Sequence, residues 1–207
     1  MNSQALYIGL ATVATAAFIG GGLMWQTSGS GADVFAKCRG GAVGGGAIGG
    51  PFTLVDENGA TVTDKDIITG PTLVYFGYTF CPDVCPLDNA RNAEAVDLLD
   101  AQGKEVTPVF ISFDPDRDTP EVLRDFTDTM HPRMIGLTGT AQQVKDASLA
   151  YKTYFKRQDD ASEYYLMDHS TFSYFMMPDH GFVDFFSRDT SAEDLANRMA
   201  CFIDAAK

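Results

Sequence analysis

The stretch that decides the fold runs from residue 72 to residue 90 and reads TLVYFGYTFCPDVCPLDNA. Its first part, residues 72–78, is rich in β-branched and aromatic side chains, which predicts a buried strand. Its second part carries Cys81 and Cys85, and Pro86 follows directly. Proline is tolerated only in the first turn of a helix, so a helix is predicted to begin close to Cys85. The two cysteines therefore lie where a central strand of an α/β fold meets its helix.

Strand and helix patterns alternate along the rest of the chain from Pro51 onward. The helix after Cys85 is predicted to reach about Ala101. The helix after Thr140 keeps apolar residues at helical spacing as far as Phe155. This order of elements predicts a thioredoxin-like (peroxiredoxin-like) three-layer α/β sandwich. The other predicted elements are a hairpin at 52–56 and 60–63, strands at 106–113, 134–137 and 182–187, a strand-like run at 164–177 interrupted around 168–169, a helix capped by Thr119 and a last helix capped by Thr190.

The N-terminal part of the chain is apolar, since residues 5–24 contain no charged side chain. At ~1.5 Å per residue, a helix of this length spans ~30 Å, which is the thickness of the apolar core of a bilayer. A cleaved signal peptide is the competing interpretation because residues 15–17 are small, but no Lys or Arg precedes the stretch. We therefore predict an N-terminal flank at 1–4, a single transmembrane helix at 5–25, a glycine-rich tether at 26–50 and a globular domain at 51–207.

Charge and cysteine content limit the classes of function. The chain has 28 acidic and 15 basic residues, which gives a formal net charge of −13. So negative a surface repels phosphate backbones, and nucleic acid is disfavoured as a partner. Four cysteines in 207 residues are too few for a small disulfide scaffold. They are compatible with two structural bridges or with a redox or metal site.

The spacing of Cys81 and Cys85 indicates shared chemistry, because residues four apart in a helix lie on one face. A helix N-terminus favours the thiolate form, which is both the nucleophile and the metal-ligating form of cysteine. The pair therefore suits reversible disulfide chemistry or a soft metal ion, with a static disulfide as the remaining alternative. Asp83, between the two cysteines, is interpreted either as a solvated residue or as one that tunes the thiol pKa or contacts a partner.

Three segments of the chain carry a recognisable pattern: YFGYTFCPDVCP at 75–86, FISFDPDRDTP at 110–120 and DHST at 168–171. Together they resemble the Sco (SenC) family of copper-delivery proteins of cytochrome c oxidase assembly. The resemblance covers about residues 51–204. Its most specific part is the Cys-x-x-x-Cys-Pro motif together with the aromatic residues that precede it. The predicted anchor also fits the family.

The resemblance implies a membrane-anchored thioredoxin-like domain. The location would be the bacterial inner membrane with the domain in the periplasm, or the mitochondrial inner membrane facing the intermembrane space. It implies that copper, as Cu(I) and Cu(II), is bound by Cys81, Cys85 and His169. It also implies assembly of the CuA centre of cytochrome c oxidase, with subunit II, a copper donor and a thiol reductant as partners. Two thiolates and an imidazole suit copper, and three ligands leave a position open for transfer.

A thiol–disulfide oxidoreductase is the alternative hypothesis. Cys81 and Cys85 would then be a redox-active pair that reduces the CuA cysteines of subunit II or senses redox state, and His169 would be incidental. The typical thioredoxin spacing is Cys-x-x-Cys, so the extra residue here weakens this interpretation. A peroxidase is disfavoured because Tyr78 stands where peroxiredoxins carry a threonine. We therefore expect a binding protein rather than a turnover enzyme.

The remaining two cysteines, Cys38 and Cys201, lie outside the metal motif of the Sco family. At ~100° per residue, Cys201 points about 145° away from the centre of the apolar stripe of the last predicted helix. It would therefore fill the core poorly. We hypothesise a Cys38–Cys201 disulfide that joins the start of the domain to its last helix.

The other candidate side chains are interpreted as structural. His131 lies at a predicted helix end and is expected to be a surface cap, and His180 is expected to be solvated in a turn. Met176 and Met177 are soft donors, but at strand spacing at least one of them should pack in the core. The acidic loop 114–118 is interpreted as a turn that leads into a helix, with contact to a partner or support of the site as the alternative.

Overall fold

The computed structural model describes residues 33–39, 47–158 and 164–207. The chain forms two compact units, Met1–Ala36 and Lys37–Lys207. Of the first unit, residues 33–36 are described, and they form a turn in which the amide of Ala36 donates to the carbonyl of Asp33. The predicted flank at 1–4, the anchor at 5–25 and most of the tether at 26–50 lie outside the described residues. Within the described residues, no helix combines the length and the apolar character needed to cross a membrane.

The strands of the described residues are β1 Thr53–Asp56, β2 Thr61–Thr63, β3 Thr72–Gly77, β4 Thr107–Ser112, β5 Ile135–Thr138, β6 Phe155–Arg157, β7 Met167–His169, β8 Ser173–Met177 and β9 Gly181–Phe186. Seven of them form a mixed sheet at the centre of the second unit, in the order β2-β1-β5-β4-β3-β8-β9. The three central strands β3, β4 and β5 run parallel, and the outer strands pair antiparallel. A separate hairpin pairs β6 with β7.

Helices cover both faces of this sheet. Within the described residues they are α1 Asp64–Ile67, α2 Val84–Asp100, α3 Pro120–Met130, α4 Ala141–Ala150 and α5 Ala192–Ala205. Successive residues of β3 point to opposite faces. The hydroxyl of Tyr75 donates to Asp88 on α2 at 3.0 Å, whereas the ring of Phe76 packs against Tyr151 after α4, at 5.1 Å between centroids. Because α2 also packs against α3 and α5, these three helices share one face and α4 lies on the other, which is the predicted three-layer order.

The helix starts follow local capping chemistry. Thr119 and Thr140 cap α3 and α4, as predicted, by accepting hydrogen bonds from amides of the first turn. The last helix begins one residue later than predicted. Its cap is Ser191, whose hydroxyl accepts from the amide of Asp194 at 3.1 Å, rather than Thr190.

The β6–β7 hairpin is the main departure from the prediction. Helix α4 ends at Ala150, and Lys152 adopts a left-handed φ of 52°, so Phe155 begins a strand instead of continuing the helix. The run 164–177 is two strands rather than one: β7 ends at His169 in the hairpin, and β8 joins the main sheet. Residues 168–169 belong to β7, so the interruption lies at 170–172, slightly later than predicted, and it is a change of sheet.

The cysteines lie at the end of the sheet that is formed by the carboxyl ends of the central strands β3 and β4. Gly77 and Ser112 are paired as the last residues of these strands, and the chain then leads to Cys81. A Cβ on Gly77 would lie 2.9 Å from the sulfur of Cys85 and 2.9 Å from the ring of Phe110. Glycine at this position therefore allows the first turn of α2 to approach β3.

Candidate metal centre

Three side chains identified in the sequence converge at this end of the central strands. Cys81 lies in the loop after β3, Cys85 in the first turn of α2, and His169 at the end of β7. The two sulfurs and a ring nitrogen of the histidine all lie within 4.8 Å of one another. Sγ of Cys85 lies 3.4 Å from Nε2 of His169. Both cysteines are free thiols, so the structure holds a set of two sulfur donors and one nitrogen donor.

The tautomer of His169 is set by its neighbour. Nδ1 lies 2.8 Å from the carbonyl oxygen of Ser170. A carbonyl oxygen only accepts, so Nδ1 carries the proton and donates it. In the neutral imidazole, Nε2 then holds the lone pair, and it faces the sulfur of Cys85. This is the arrangement that a metal-ligating histidine requires.

Aromatic rings shield the site from solvent. The ring of His169 meets Tyr78 edge-on at 5.8 Å and Phe113 at 5.5 Å between centroids. Cys85 is 0% exposed and Cys81 is 8% exposed. A reagent or a partner ligand would therefore reach the site beside Cys81 rather than beside Cys85.

The two thiols have very different proton affinities. Hydrogen bonding from Cys85 lowers the pKa of Cys81 to about 3, against the opposing effect of burial, and the amides of Cys85 and Asp83 add to the lowering. One of these amides, that of Cys85, donates to Sγ of Cys81 at 3.3 Å. The same hydrogen bond with Cys81, together with burial, raises the pKa of Cys85 far above its usual range. At neutral pH the pair therefore shares one proton, with the thiolate on Cys81.

Alkylation of the reduced protein with iodoacetamide is expected to modify Cys81 at a rate that stays constant between about pH 5 and pH 8. The folded-state pKa lies below this window, so the thiolate is present throughout, whereas a thiol with a pKa of about 8.5 reacts about tenfold faster per pH unit there. Timed quenching and mass spectrometry measure the rate at each cysteine, and the buried Cys85 should remain unmodified. Urea-unfolded protein is the control. A tenfold rise per pH unit in folded protein would contradict the lowered pKa.

The loop 114–118 supports the site, which was the alternative to a simple turn in the sequence interpretation. Asp118 is fully buried and accepts from the amide of Thr79 at 3.0 Å and from its hydroxyl at 2.5 Å. Burial raises the pKa of Asp118, against these hydrogen bonds. These contacts fix the backbone two residues before Cys81.

Sequence reasoning missed the side chains that hold the hairpin in place. The hydroxyl of Tyr78 accepts from the amide of Met167 at 3.3 Å. The hydroxyl of Tyr165 donates to Asp114 at 2.5 Å. Both contacts join residues that are far apart in the chain, so no local pattern could have indicated them. The one available signal was the unusual density of aromatic residues around the motif.

A second group of donor atoms, from Asp97, Asp100 and His131, also lies within 4.8 Å. His131 is 5% exposed, so the predicted surface position was wrong, although it does occupy the C-cap of α3. Its Nδ1 accepts from the amide of Arg133 at 3.1 Å, which leaves the proton on Nε2, 3.4 Å from Asp97. Asp100 pairs with the guanidinium of Arg133 at 2.8 Å. Each donor already has a protein partner, so the group is structural.

The other candidates lie away from the metal site or contribute no side-chain contact to it. Met176 and Met177 are both buried. Met176 pairs with Thr72 at the start of β3, which is the end of the strand remote from the cysteines. His180 is exposed in the turn before β9, as expected, and Asp83 is exposed at the N-cap of α2 without a side-chain cap hydrogen bond.

Cys38 and Cys201 form a disulfide with their Cα atoms 5.6 Å apart, which is the pairing hypothesised from the sequence. Cys201 lies in α5, one turn before Asp204, and Asp204 pairs with Lys104 at 3.4 Å, just beyond the C-terminal end of α2. The disulfide is therefore at the end of α2 opposite to Cys85. The adjacent Arg39 donates to the carbonyl of Val183 at 3.3 Å and adds a second contact at the start of this unit.

The fold and the converging donors define a class: a thioredoxin-like α/β domain with a mixed thiol and imidazole site at the end of its central strands. Residues 41–204 match the sequence model of the SCO1/SenC family, and the chain belongs to that family. It is 56% identical over 174 residues to Protein SenC of Rhodobacter capsulatus, a match that spans 84% of this chain and 79% of that protein. It is 37% identical over 156 residues to the mitochondrial Protein SCO1 homolog of Homo sapiens, which spans 74% of this chain and 52% of the human protein.

Solved structures agree with this assignment. Arabidopsis thaliana ScoI with copper bound superposes with a TM-score of 0.72 at 36% identity, covering 76% of this chain and 99% of that one. Bradyrhizobium japonicum ScoI with copper bound gives a TM-score of 0.68 at 37% identity, covering 74% and 98%. The thioredoxin-like fold predicted from the element order is thus confirmed for the part of the chain that these structures cover.

Proposed function

We propose that this protein binds one copper ion through Cys81, Cys85 and His169 and delivers copper to the CuA centre of cytochrome c oxidase subunit II. One observation carries the proposal: two free thiol sulfurs and a ring nitrogen of His169 lie within 4.8 Å of one another. With Nδ1 donating to the carbonyl oxygen of Ser170, a neutral His169 directs its Nε2 lone pair toward the sulfurs. Solved relatives with the same fold are described with copper bound.

The chemistry of the donors fits copper as cargo. Thiolates and imidazole are soft or borderline ligands that suit Cu(I) and can hold Cu(II). Cys81 is already a thiolate at neutral pH, so binding requires only the proton on Cys85 to leave. Three protein ligands leave one coordination position for an incoming ligand from a partner, whereas a closed four-ligand site would retain the metal.

The cellular setting is part of the same proposal. The apolar segment 5–25 would anchor the chain in the bacterial inner membrane with the domain in the periplasm. A periplasmic donor would supply the copper, and a thiol reductant would keep the two cysteines reduced, because a disulfide between them removes both thiolate ligands. The protein would act by binding and transfer rather than by turnover.

A copper titration of the purified full-length chain, reduced and oxidised, tests the proposal. The reduced protein is expected to bind one equivalent of Cu(I) tightly, and the protein with a Cys81–Cys85 disulfide is expected to bind none. An EPR spectrum of the Cu(II) form should show sulfur ligation and hyperfine coupling to one nitrogen. Equal affinity in the two redox states would contradict the proposal, because it would place the metal away from the cysteines.

Thiol–disulfide exchange is the second candidate, and the lowered pKa of Cys81 favours it. The thiolate of Cys81 would attack a disulfide of the partner. Cys85 would then displace the partner's sulfur, giving a Cys81–Cys85 disulfide and a reduced partner dithiol, with two electrons transferred. Reduction of the CuA cysteines of subunit II at the wild-type rate by a His169→Ala variant would favour this function. Loss of both reduction and copper transfer in that variant would favour copper delivery.

A further inference from the structure

The three proposed ligands come from two separate parts of the fold. Cys81 and Cys85 belong to the β3–α2 junction of the main sheet, whereas His169 belongs to the β6–β7 hairpin, which forms its own sheet. The distance between the sulfurs and Nε2 of His169 therefore depends on what fastens the hairpin to the junction.

Arg117 contacts both parts. Its guanidinium carbon lies 3.5 Å from the ring centroid of Tyr165, which leads into β7. It also lies 4.7 Å from the ring of Phe80, the residue before Cys81. The ring of Tyr78 is 5.8 Å away. One cation thus stacks on aromatic rings from both ligand-bearing segments.

Asp114 holds this guanidinium in place. One carboxylate oxygen lies 2.5 Å from Nε of Arg117, and the other accepts from the hydroxyl of Tyr165 at 2.5 Å. The side chain of Asp114 is 3% exposed and that of Arg117 is 13% exposed, so both contacts are shielded from solvent and are strong for their type. Asp114, Arg117, Phe80 and Tyr165 together form a unit that we call the clasp.

We propose that Arg117 is a positioning residue that, through the clasp, sets His169 at ligand distance from the two cysteines. The inference rests on the proposed function, in which these three side chains bind copper. The planar guanidinium suits this position, because it stacks on rings while its edge pairs with a carboxylate, whereas an ammonium group does not stack in this way. Arg157 lies 3.6 Å from the centroid of the Tyr165 ring, so that ring packs against a second guanidinium.

A double-mutant cycle on copper affinity tests the proposal. Arg117→Gln is expected to raise the Cu(I) dissociation constant by about 10- to 100-fold, the usual cost of losing a partner that orients a ligand. The same substitution in a His169→Ala background should have no further effect, since there is no longer a histidine to position. Arg198→Gln is the matched control. Arg198 also pairs with a carboxylate, that of Asp184, and stacks on Phe186 at 4.7 Å, but it lies on α5.

Hydrogen exchange of the copper-free protein gives a readout that is independent of the metal. In Arg117→Gln the amides of residues 164–170 should exchange at least about tenfold faster, while those of α5 remain unchanged. If Arg117→Gln does not fold, Tyr165→Leu replaces it, because it removes the hairpin side of the clasp and leaves the Asp114–Arg117 pair.

Two results would overturn the positioning role: an equal loss of affinity from Arg117→Gln with and without His169, or no loss in either background together with unchanged hydrogen exchange. Failure of the proposed function looks different. In that case His169→Ala alone would bind copper as tightly as the wild type, and the exchange of residues 164–170 would still decide whether the clasp holds the hairpin.

Discussion

Replacing His169 with alanine is expected to weaken Cu(I) binding by more than about 100-fold, because removal of a direct ligand exceeds the 10- to 100-fold cost of losing a partner that only orients one. Two sulfur ligands would remain, so binding would be weakened rather than lost. The fold should persist, since the ring packs only against Tyr78 and Phe113 among the ring contacts of the described residues.

Competition with a Cu(I) chelator of known affinity measures this effect at constant pH and with excess reductant. His180→Ala is the matched control, because His180 is exposed in the turn after β8, and that end of β8 pairs with the start of β3, remote from the cysteines. The Cu(II) EPR spectrum of His169→Ala should also lose its nitrogen hyperfine coupling. Affinity equal to that of His180→Ala would remove His169 from the ligand set and leave a two-cysteine site.

Removing the Cys38–Cys201 disulfide is expected to lower the free energy of unfolding by about 5 kcal/mol. The bridge joins residues separated by 163 positions, and closure of so long a loop removes a large entropy from the unfolded chain. For a domain of this size the melting temperature should fall by about 10 to 20 °C. Differential scanning calorimetry of Cys38→Ser/Cys201→Ser against its parent measures the change.

The comparison is best made in a Cys81→Ser/Cys85→Ser background, so that no disulfide between those two positions contributes. In this background, added reductant should lower the melting temperature of the protein that retains Cys38 and Cys201 to that of the Cys38→Ser/Cys201→Ser variant. The melting temperature of the variant should not change. A difference under about 2 °C would show that the bridge does not limit stability.

With Cys81 and Cys85 intact, removal of the Cys38–Cys201 bridge should leave copper affinity unaffected. The bridge is at the far end of α2, whose 17 residues span ~25 Å at ~1.5 Å per residue.

The strand–helix junction was predictable because its signals are local. Alternating aromatic and β-branched residues indicate a buried strand, Pro86 restricts the helix start, and Thr119 and Thr140 identify two caps. Errors arose where a local pattern competed with tertiary pairing. Apolar residues do recur at helical spacing up to Phe155. Phe155 nevertheless pairs with His169 in the β6–β7 hairpin, and this tertiary pairing outweighs the local pattern.

The sequence by itself determined the α/β class, the proximity of Cys81 and Cys85, and the likeness to the Sco family that singled out His169. These features depend on neighbours within a few residues or on a motif. Only the tertiary structure decided that His169 meets Cys85 across 84 positions of chain, which thiol holds the proton, and that Arg117 stacks between the two segments. Those properties arise from burial and from contacts between distant residues. They form only when the sheet and the hairpin close on each other, and no local pattern in the chain encodes them.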